Sequence, residues 1–85
     1  TLSFYRTAAG AEMDAVVERG RTRIGFEVKF SSAPKVSKGF WQARQDLQLH
    51  HTYIVAPVRE GWPVQDGVSV IPLSELPSRL KALTP

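Results

Sequence analysis

A mixed α/β domain, one sheet with flanking helices, is the fold class this sequence predicts. Three observations carry it. Residues 10–30 alternate apolar and polar side chains about a central glycine, as an antiparallel hairpin does. Thr52 to Val58 is almost continuously apolar before Pro57 and follows an amphipathic segment, as a central strand reached through a helical crossover would be. Leu76, Leu80 and Leu83 then recur at helical spacing at the chain's end.

In chain order, Ser3 to Thr7 is short and aromatic and reads as a first strand, with Ala8-Ala9-Gly10 as a turn. Ala11 to Arg19 and Arg23 to Phe30 are the second and third strands. Ser31-Ser32-Ala33-Pro34 breaks the pattern. Ser37 is a suitable N-cap for a helix running to about Leu49, with Val36, Phe40, Ala43 and Leu47 facing the sheet. That helix makes the strand at Thr52 to Val58 a right-handed crossover, parallel to the third strand. Glu60-Gly61-Trp62-Pro63 reads as a loop and Gly67 to Ile71 as a last strand. Ser74 is expected to cap a final helix with Pro77 in its first turn, where proline is tolerated. The predicted order is β-β-β-α-β-β-α. A three-layer domain needs a second helical face, supplied by the last helix or by upstream residues.

At 85 residues this is one domain at most. Domains near this size bury only about 60–65% of their unfolded surface, so the core is small. Hydrophobic residues make up 42% of the chain, enough to fold it. The net charge of +3 is compatible with a polyanionic partner without demanding one. With no cysteine, disulfides and thiolate zinc sites are excluded. No apolar run approaches ~20 residues, so no membrane partner is expected and a cytoplasmic location is the default. No Ser/His/Asp or Cys/His constellation is present, and nothing in the chain calls for a small-molecule cofactor. The chain begins Thr1-Leu2-Ser3 and is expected to be part of a longer protein.

The hairpin turn sets the register on which the candidate chemistry depends. Glycine at the first central position suits a type II′ turn at Gly20-Arg21. With Arg19 facing Thr22, Val17 falls opposite Ile24, Ala15 opposite Phe26, Met13 opposite Val28, Asp14 opposite Glu27 and Glu12 opposite Lys29. One face of the hairpin is then apolar. The other gathers three carboxylates and an ammonium. Directly opposed residues have Cβ atoms roughly 4.5–5.5 Å apart, and like charges there destabilise a sheet. Two charges ~4 Å apart repel by about 4 kcal/mol at an effective dielectric near 20. Lys29 offsets part of this, and a hard divalent cation would offset more. Mg²⁺ suits one or two carboxylates with its remaining positions filled by water. The bland alternative is a solvated sheet face with Glu12 paired to Lys29 across strands.

Asp14 followed by Glu27-Val28-Lys29, on adjacent strands ahead of a helix and a strand, resembles the PD-(D/E)xK nuclease superfamily with its restriction-endonuclease-like fold. Phe4-Tyr5-Arg6-Thr7, Gly10-Ala11-Glu12-Met13-Asp14 and Phe26-Glu27-Val28-Lys29 also resemble the C-terminal domain of unknown function attached to predicted bacterial and archaeal P-loop ATPases. That second resemblance runs from about Phe4 to Leu83 and implies an ATPase module upstream, which would also be a partner. The chain itself has no Gly-rich phosphate loop. The first resemblance implies Mg²⁺-dependent hydrolysis of phosphodiesters, with DNA as the substrate. Asp14, Glu27 and the Val28 carbonyl would hold the metal, and Lys29 would orient or deprotonate the attacking water. Glu12 belongs to the signature of the attached domain without being a universal ligand. The acidic residue that the superfamily often adds from a preceding helix would lie before Thr1. The competing class is a catalytically inactive module of the same fold that binds DNA or protein.

Weaker candidates surround this set. Gln42 lies on the helix after the lysine, where some nuclease relatives use a glutamine. Lys35, Lys38 and Arg44 are placed to touch phosphates, or simply to solvate a helix face. Phe40 and Trp41 offer rings for base stacking, although Phe40 suits the core better. His50 and His51, adjacent at a helix end, point apart and favour the local dipole over a metal. Trp62 in its Gly-Trp-Pro loop reads as a packing lid.

Overall fold

The computed structural model describes residues 13–83 and, as backbone, 2–6. Within them six strands form one mixed sheet in the order β1-β2-β3-β4-β6-β5, with β1 Leu2–Arg6, β2 Ala15–Arg19, β3 Thr22–Val28, β4 His51–Ala56, β5 Trp62–Gln65 and β6 Val68–Pro72. The neighbours β1/β2, β2/β3 and β5/β6 are antiparallel, and β3/β4 and β4/β6 are parallel. Two helices complete the fold: α1, Lys38–Asp46, between β3 and β4, and α2, Leu76–Leu83, preceded by a 3₁₀ turn at Leu73–Glu75.

The hairpin register is the one the turn predicts. Arg19 pairs with Thr22, Val17 with Ile24 and Ala15 with Phe26. Gly20 has φ +59°, while Arg21 is not among the described residues with positive φ, the combination a type II′ turn requires. The apolar set splits differently. Met13 does not continue the face of Ala15 and Val17, because the chain bends at Asp14 before β2 begins. Met13 instead packs with Val16, Phe40, Leu49, Ile54, Ala56, Val68 and Val70 on the α1 side of the sheet. Val17, Phe26, Val55 and Ile71 form the opposite cluster, closed by Leu76, Leu80 and Leu83 of α2. The last helix therefore supplies the second covered face, and the sheet has apolar packing on both sides.

Helix α1 starts where the sequence indicates. Ser37 is its N-cap, and its hydroxyl accepts a hydrogen bond from the Phe40 amide at 3.3 Å. It ends three residues earlier than the predicted Leu49. Gln48 takes φ +55°, its amide donates to the Gln45 carbonyl, and the Leu49 amide donates to Arg44. This is a Schellman ending with glutamine in the position glycine usually fills. Arg23 of β3 donates to the Leu47 carbonyl at 2.9 Å and ties this helix end to the sheet. At the other helix Ser74 is not the cap. It lies within the 3₁₀ turn, and Pro77 is the second residue of α2.

The segment read as a loop is an edge strand. Trp62–Gln65 pairs with β6 through an irregular register between Pro63 and Gln65. Every residue of β5 is exposed, so period-2 alternation had nothing to report, and Pro63 is tolerated because an edge strand need not donate on its outer side. The predicted turn at Ala8-Ala9-Gly10 and the start of the second strand lie outside the described residues.

Candidate functional site

The ladder between β2 and β3 stops at Ala15–Phe26, one residue short of Asp14. Beyond that point the β3 amides facing β2 lose their strand partner. Asp14 supplies one: its backbone N–H donates to the Phe26 carbonyl at 3.0 Å, and its Oδ2 accepts from the Val28 amide at 2.7 Å. A short charge-assisted bond thus replaces the next rung of the sheet. The alternate amide, on Lys29, faces the other way and donates to Val55 of β4 at 2.8 Å.

Glu27 projects from β3 on the α1 side of the sheet, opposite to Phe26 and Val28. The same alternation that makes it look solvated in the sequence places it under the helix layer, and it is only 6% exposed. Its Oε2 lies 3.3 Å from Lys29 Nζ, two residues along the same face. Its Oε1 is buried with no hydrogen-bond partner. Burial is the main reason its pKa rises from 4.5 to about 7, and the adjacent Asp14 carboxylate raises it further, against the opposing pull of Lys29. Near neutral pH this carboxyl is therefore poised between its protonated and its charged form.

Such an arrangement calls for a positive species at Oε1. A proton satisfies it, and so does a hard cation. Asp14 and Glu27 offer the oxygen donors that Mg²⁺ takes, and the orphaned Oε1 is the atom such an ion would satisfy. Among the described residues there is no group of three or more His, Cys, Asp or Glu side chains that could hold a metal. Glu12, the third expected carboxylate, lies outside the described residues.

The remaining candidates are distributed over the molecule. Lys35 and Lys38 are exposed at and before the start of α1. Arg44, grouped with them in the sequence reading, is separated from them. Its guanidinium donates to the Asp66 carbonyl at 3.2 Å, in the turn before β6. That is the N-terminal end of the parallel strands, whereas Glu27 and Val28 stand at the C-terminal end of β3. Gln42 is exposed, and its amide donates to Asp46 one turn on, at 2.9 Å. Phe40 is fully buried with Trp41 edge-on at 5.0 Å, so the Phe40 ring is core and not a stacking platform. His50 Nδ1 accepts from the Arg23 amide at 3.0 Å, which fixes it at the strand end.

A second grouping was not read from the sequence. His51 and Tyr53 of β4, Ser69 of β6 and Arg79 of α2 meet on the α2 side of the sheet, beside Trp62 of β5. A signal existed in the alternation of β4, where His51 and Tyr53 share the face opposite to Thr52 and Ile54. Its partners come from three later elements that no local pattern brings together.

Comparison with known proteins adds a family without an activity. The family model described as a domain of unknown function, DUF4143, matches residues 1–76. The uncharacterized proteins Mb2031c of Mycobacterium bovis and Rv2008c of Mycobacterium tuberculosis are each 36% identical over 75 residues, covering 88% of this chain and 17% of their own length. The chain thus spans about a sixth of the curated relatives it matches. No solved structure matches. No helix among the described residues is long and apolar enough to cross a membrane.

Proposed function

Because the chain belongs to the DUF4143 family of unknown function, its activity has to be read from its own side chains, and we propose that it is a nuclease-like module that hydrolyses phosphodiesters of DNA at Asp14, Glu27 and Lys29 with Mg²⁺. The observation that carries this is Glu27. A buried carboxylate has one oxygen on Lys29, the other unpartnered, and a second carboxylate beside it. The restriction-endonuclease-like fold, the DNA substrate and the upstream ATPase belong to this proposal. The mixed sheet order and the much greater length of the relatives are compatible with them.

Asp14 and Glu27 would hold the cation, with the Val28 carbonyl as a third oxygen. When bound, the cation supplies Lewis-acid polarisation of the phosphate and makes water more acidic. Asp14 keeps its Oδ2 on the Val28 amide, so its carboxylate is oriented before any ligand arrives. Lys29, tethered to Glu27, stands where it can turn its ammonium from that carboxylate to the charge that develops on the phosphate. Exposed Lys35 and Lys38 would supply backbone contacts to DNA.

One observation favours the second reading, a catalytically inactive module that binds DNA or protein. Asp14 and Lys29 both have structural partners in place, so the cluster is also a self-contained sheet terminus. Linear DNA with Mg²⁺ or Mn²⁺, incubated with full-length protein and with its Glu27→Gln variant, separates the two. Cleavage lost in the variant supports catalysis. DNA retention by both proteins without cleavage by either supports the binding module.

A further inference from the structure

The face of the sheet opposite to Glu27 carries an open cleft of about 390 Å³ between β4, β6 and β5 on one side and the 3₁₀ turn with α2 on the other. That volume lies in the range of ~300–1,000 Å³ usual for small-molecule sites. Gly61 brings the approach to β5 so close to β6 that a Cβ there would stand 2.2 Å from the Val70 carbonyl oxygen. The close approach fixes Trp62 at the rim, 42% exposed.

Five polar groups converge in the cleft and are only loosely engaged with one another. Arg79 Nη1 lies 3.4 Å from the Tyr53 hydroxyl, and Arg79 Nη2 3.5 Å from Glu75 Oε1. The Ser69 hydroxyl lies 3.3 Å from His51 Nε2. All are at the long edge of hydrogen bonding, where each group retains capacity for a better partner. The Arg79 guanidinium also sits over the Tyr53 ring, 5.2 Å from its centroid. Glu75 is the one carboxylate among the lining residues. The imidazole of His51 senses the resulting field: burial first, then Arg79 and Arg44, lower its pKa below the usual 6.5.

We infer that this cleft binds a small phosphate monoester carrying an aromatic ring, the phosphate on Arg79, Ser69 and His51 and the ring against Trp62. The donors would replace three long contacts by charge-assisted ones. Trp62, 42% exposed at the rim, gives the ring a flat partner. The site is independent of the Asp14–Glu27 pair, which faces the other helix layer.

Calorimetric titration of the full-length protein with adenosine 5′-monophosphate, adenosine and inorganic phosphate tests it, with Arg79→Gln and Trp62→Ala alongside. Both residues are partly exposed, Trp62 to 42% and the Arg79 side chain to 44%, and a thermal melt verifies that the variants fold. The monophosphate should bind more tightly than either fragment. Arg79→Gln should weaken it at least tenfold, and Trp62→Ala should weaken the monophosphate and leave inorganic phosphate unchanged. Absence of binding at 10 mM monophosphate, or binding that neither variant alters, would overturn the assignment. Tight binding of adenosine alone would also overturn it, since the anion would then contribute nothing.

Discussion

Asp14 Oδ2 accepts the Val28 amide hydrogen at 2.7 Å, where the next rung of the β2–β3 ladder would otherwise be. One carboxylate therefore ends the sheet pairing and stands beside Glu27. Structure and candidate chemistry share this atom, and variants at Asp14 should show both effects.

Asp14→Ala removes an acceptor and leaves the Val28 amide without its partner. The expected cost is about 1–2 kcal/mol, that of a charge-assisted bond at an exposed site. Asp14→Asn retains a carbonyl acceptor and should cost less. Urea denaturation of both variants reads the difference. Equal stability of the alanine variant and wild type would mean that water caps Val28 as well as Asp14 does.

Glu27 gives the protein a pH dependence of definite sign. Its folded pKa is about 7 against 4.5 for the ordinary group, so the folded state binds this proton more tightly. The associated stability is fully present below about pH 4.5 and is lost as the pH rises through 7. The displacement is worth on the order of 3 kcal/mol. Glu27→Gln keeps the shape and the neutral charge, so it should match wild type near pH 5 and exceed it near pH 8. If Glu27 ligates Mg²⁺ as proposed, the ion selects the ionised form and should stabilise wild type more at pH 8 than at pH 5 and leave Glu27→Gln unmoved. Parallel pH profiles for the two proteins would remove Glu27 as the titrating group.

Two glycines test how close packing positions the sheet. At Gly61 an added methyl would meet the Val70 carbonyl oxygen at 2.2 Å, and that backbone is held by the β5–β6 pairing. Gly61→Ala should cost about 2–3 kcal/mol and expose the β5–β6 amides to hydrogen exchange. At Gly25 the obstacles are Leu49 Cδ1 at 2.4 Å and Met13 Sδ at 2.9 Å, both ends of flexible side chains. Gly25→Ala should cost less, about 1–2 kcal/mol, because methionine can repack. A larger loss at Gly25 than at Gly61 would contradict this ordering.

The hairpin was legible because two independent constraints agree on it. Gly20 dictates the turn, and a slip of one residue would turn every side chain over. The parallel placement of β4 was legible from its apolar run and the preceding helix. What could not be read depends on what packs where. Met13 leaves its expected face because Asp14 bends the chain, and a bend made for one amide leaves no periodic trace. Gln48 shortens α1 by adopting a conformation its residue type rarely signals. Strand β5 is exposed on both faces, so it lacks alternation. An Asp66-Gly67 pair before Val68 was the usable hairpin signal. The expected pairing of Asp14 across from Glu27 does not form, since the ladder stops at Ala15–Phe26 and Asp14 turns to the Phe26 carbonyl and the Val28 amide; nor was the burial of Glu27 legible, since alternation names a face without saying what covers it.

Lys29 separates the readings of the cluster. Its side chain is 27% exposed and its ammonium is 3.3 Å from a carboxylate that is itself buried. Lys29→Ala therefore removes more than a surface charge. Glu27 loses the partner that holds its pKa down, so its titration should move upward, and stability at pH 8 should fall by about 1–2 kcal/mol. At pH 5, where Glu27 is protonated, the loss should be smaller. If the site hydrolyses phosphodiesters, the same variant should abolish turnover and leave DNA affinity almost unchanged, since an interaction made mainly in the transition state lowers kcat and not binding. If the cluster only docks DNA, affinity should fall for every sequence and its salt dependence should flatten. If Lys29 serves Glu27 alone, only the pH-dependent stability should change. Cleavage, affinity at two salt concentrations and urea melts at pH 5 and pH 8, measured on full-length wild type and variant, distinguish these outcomes. Cleavage at the wild-type rate by Lys29→Ala would end the catalytic assignment, whatever the stability data show.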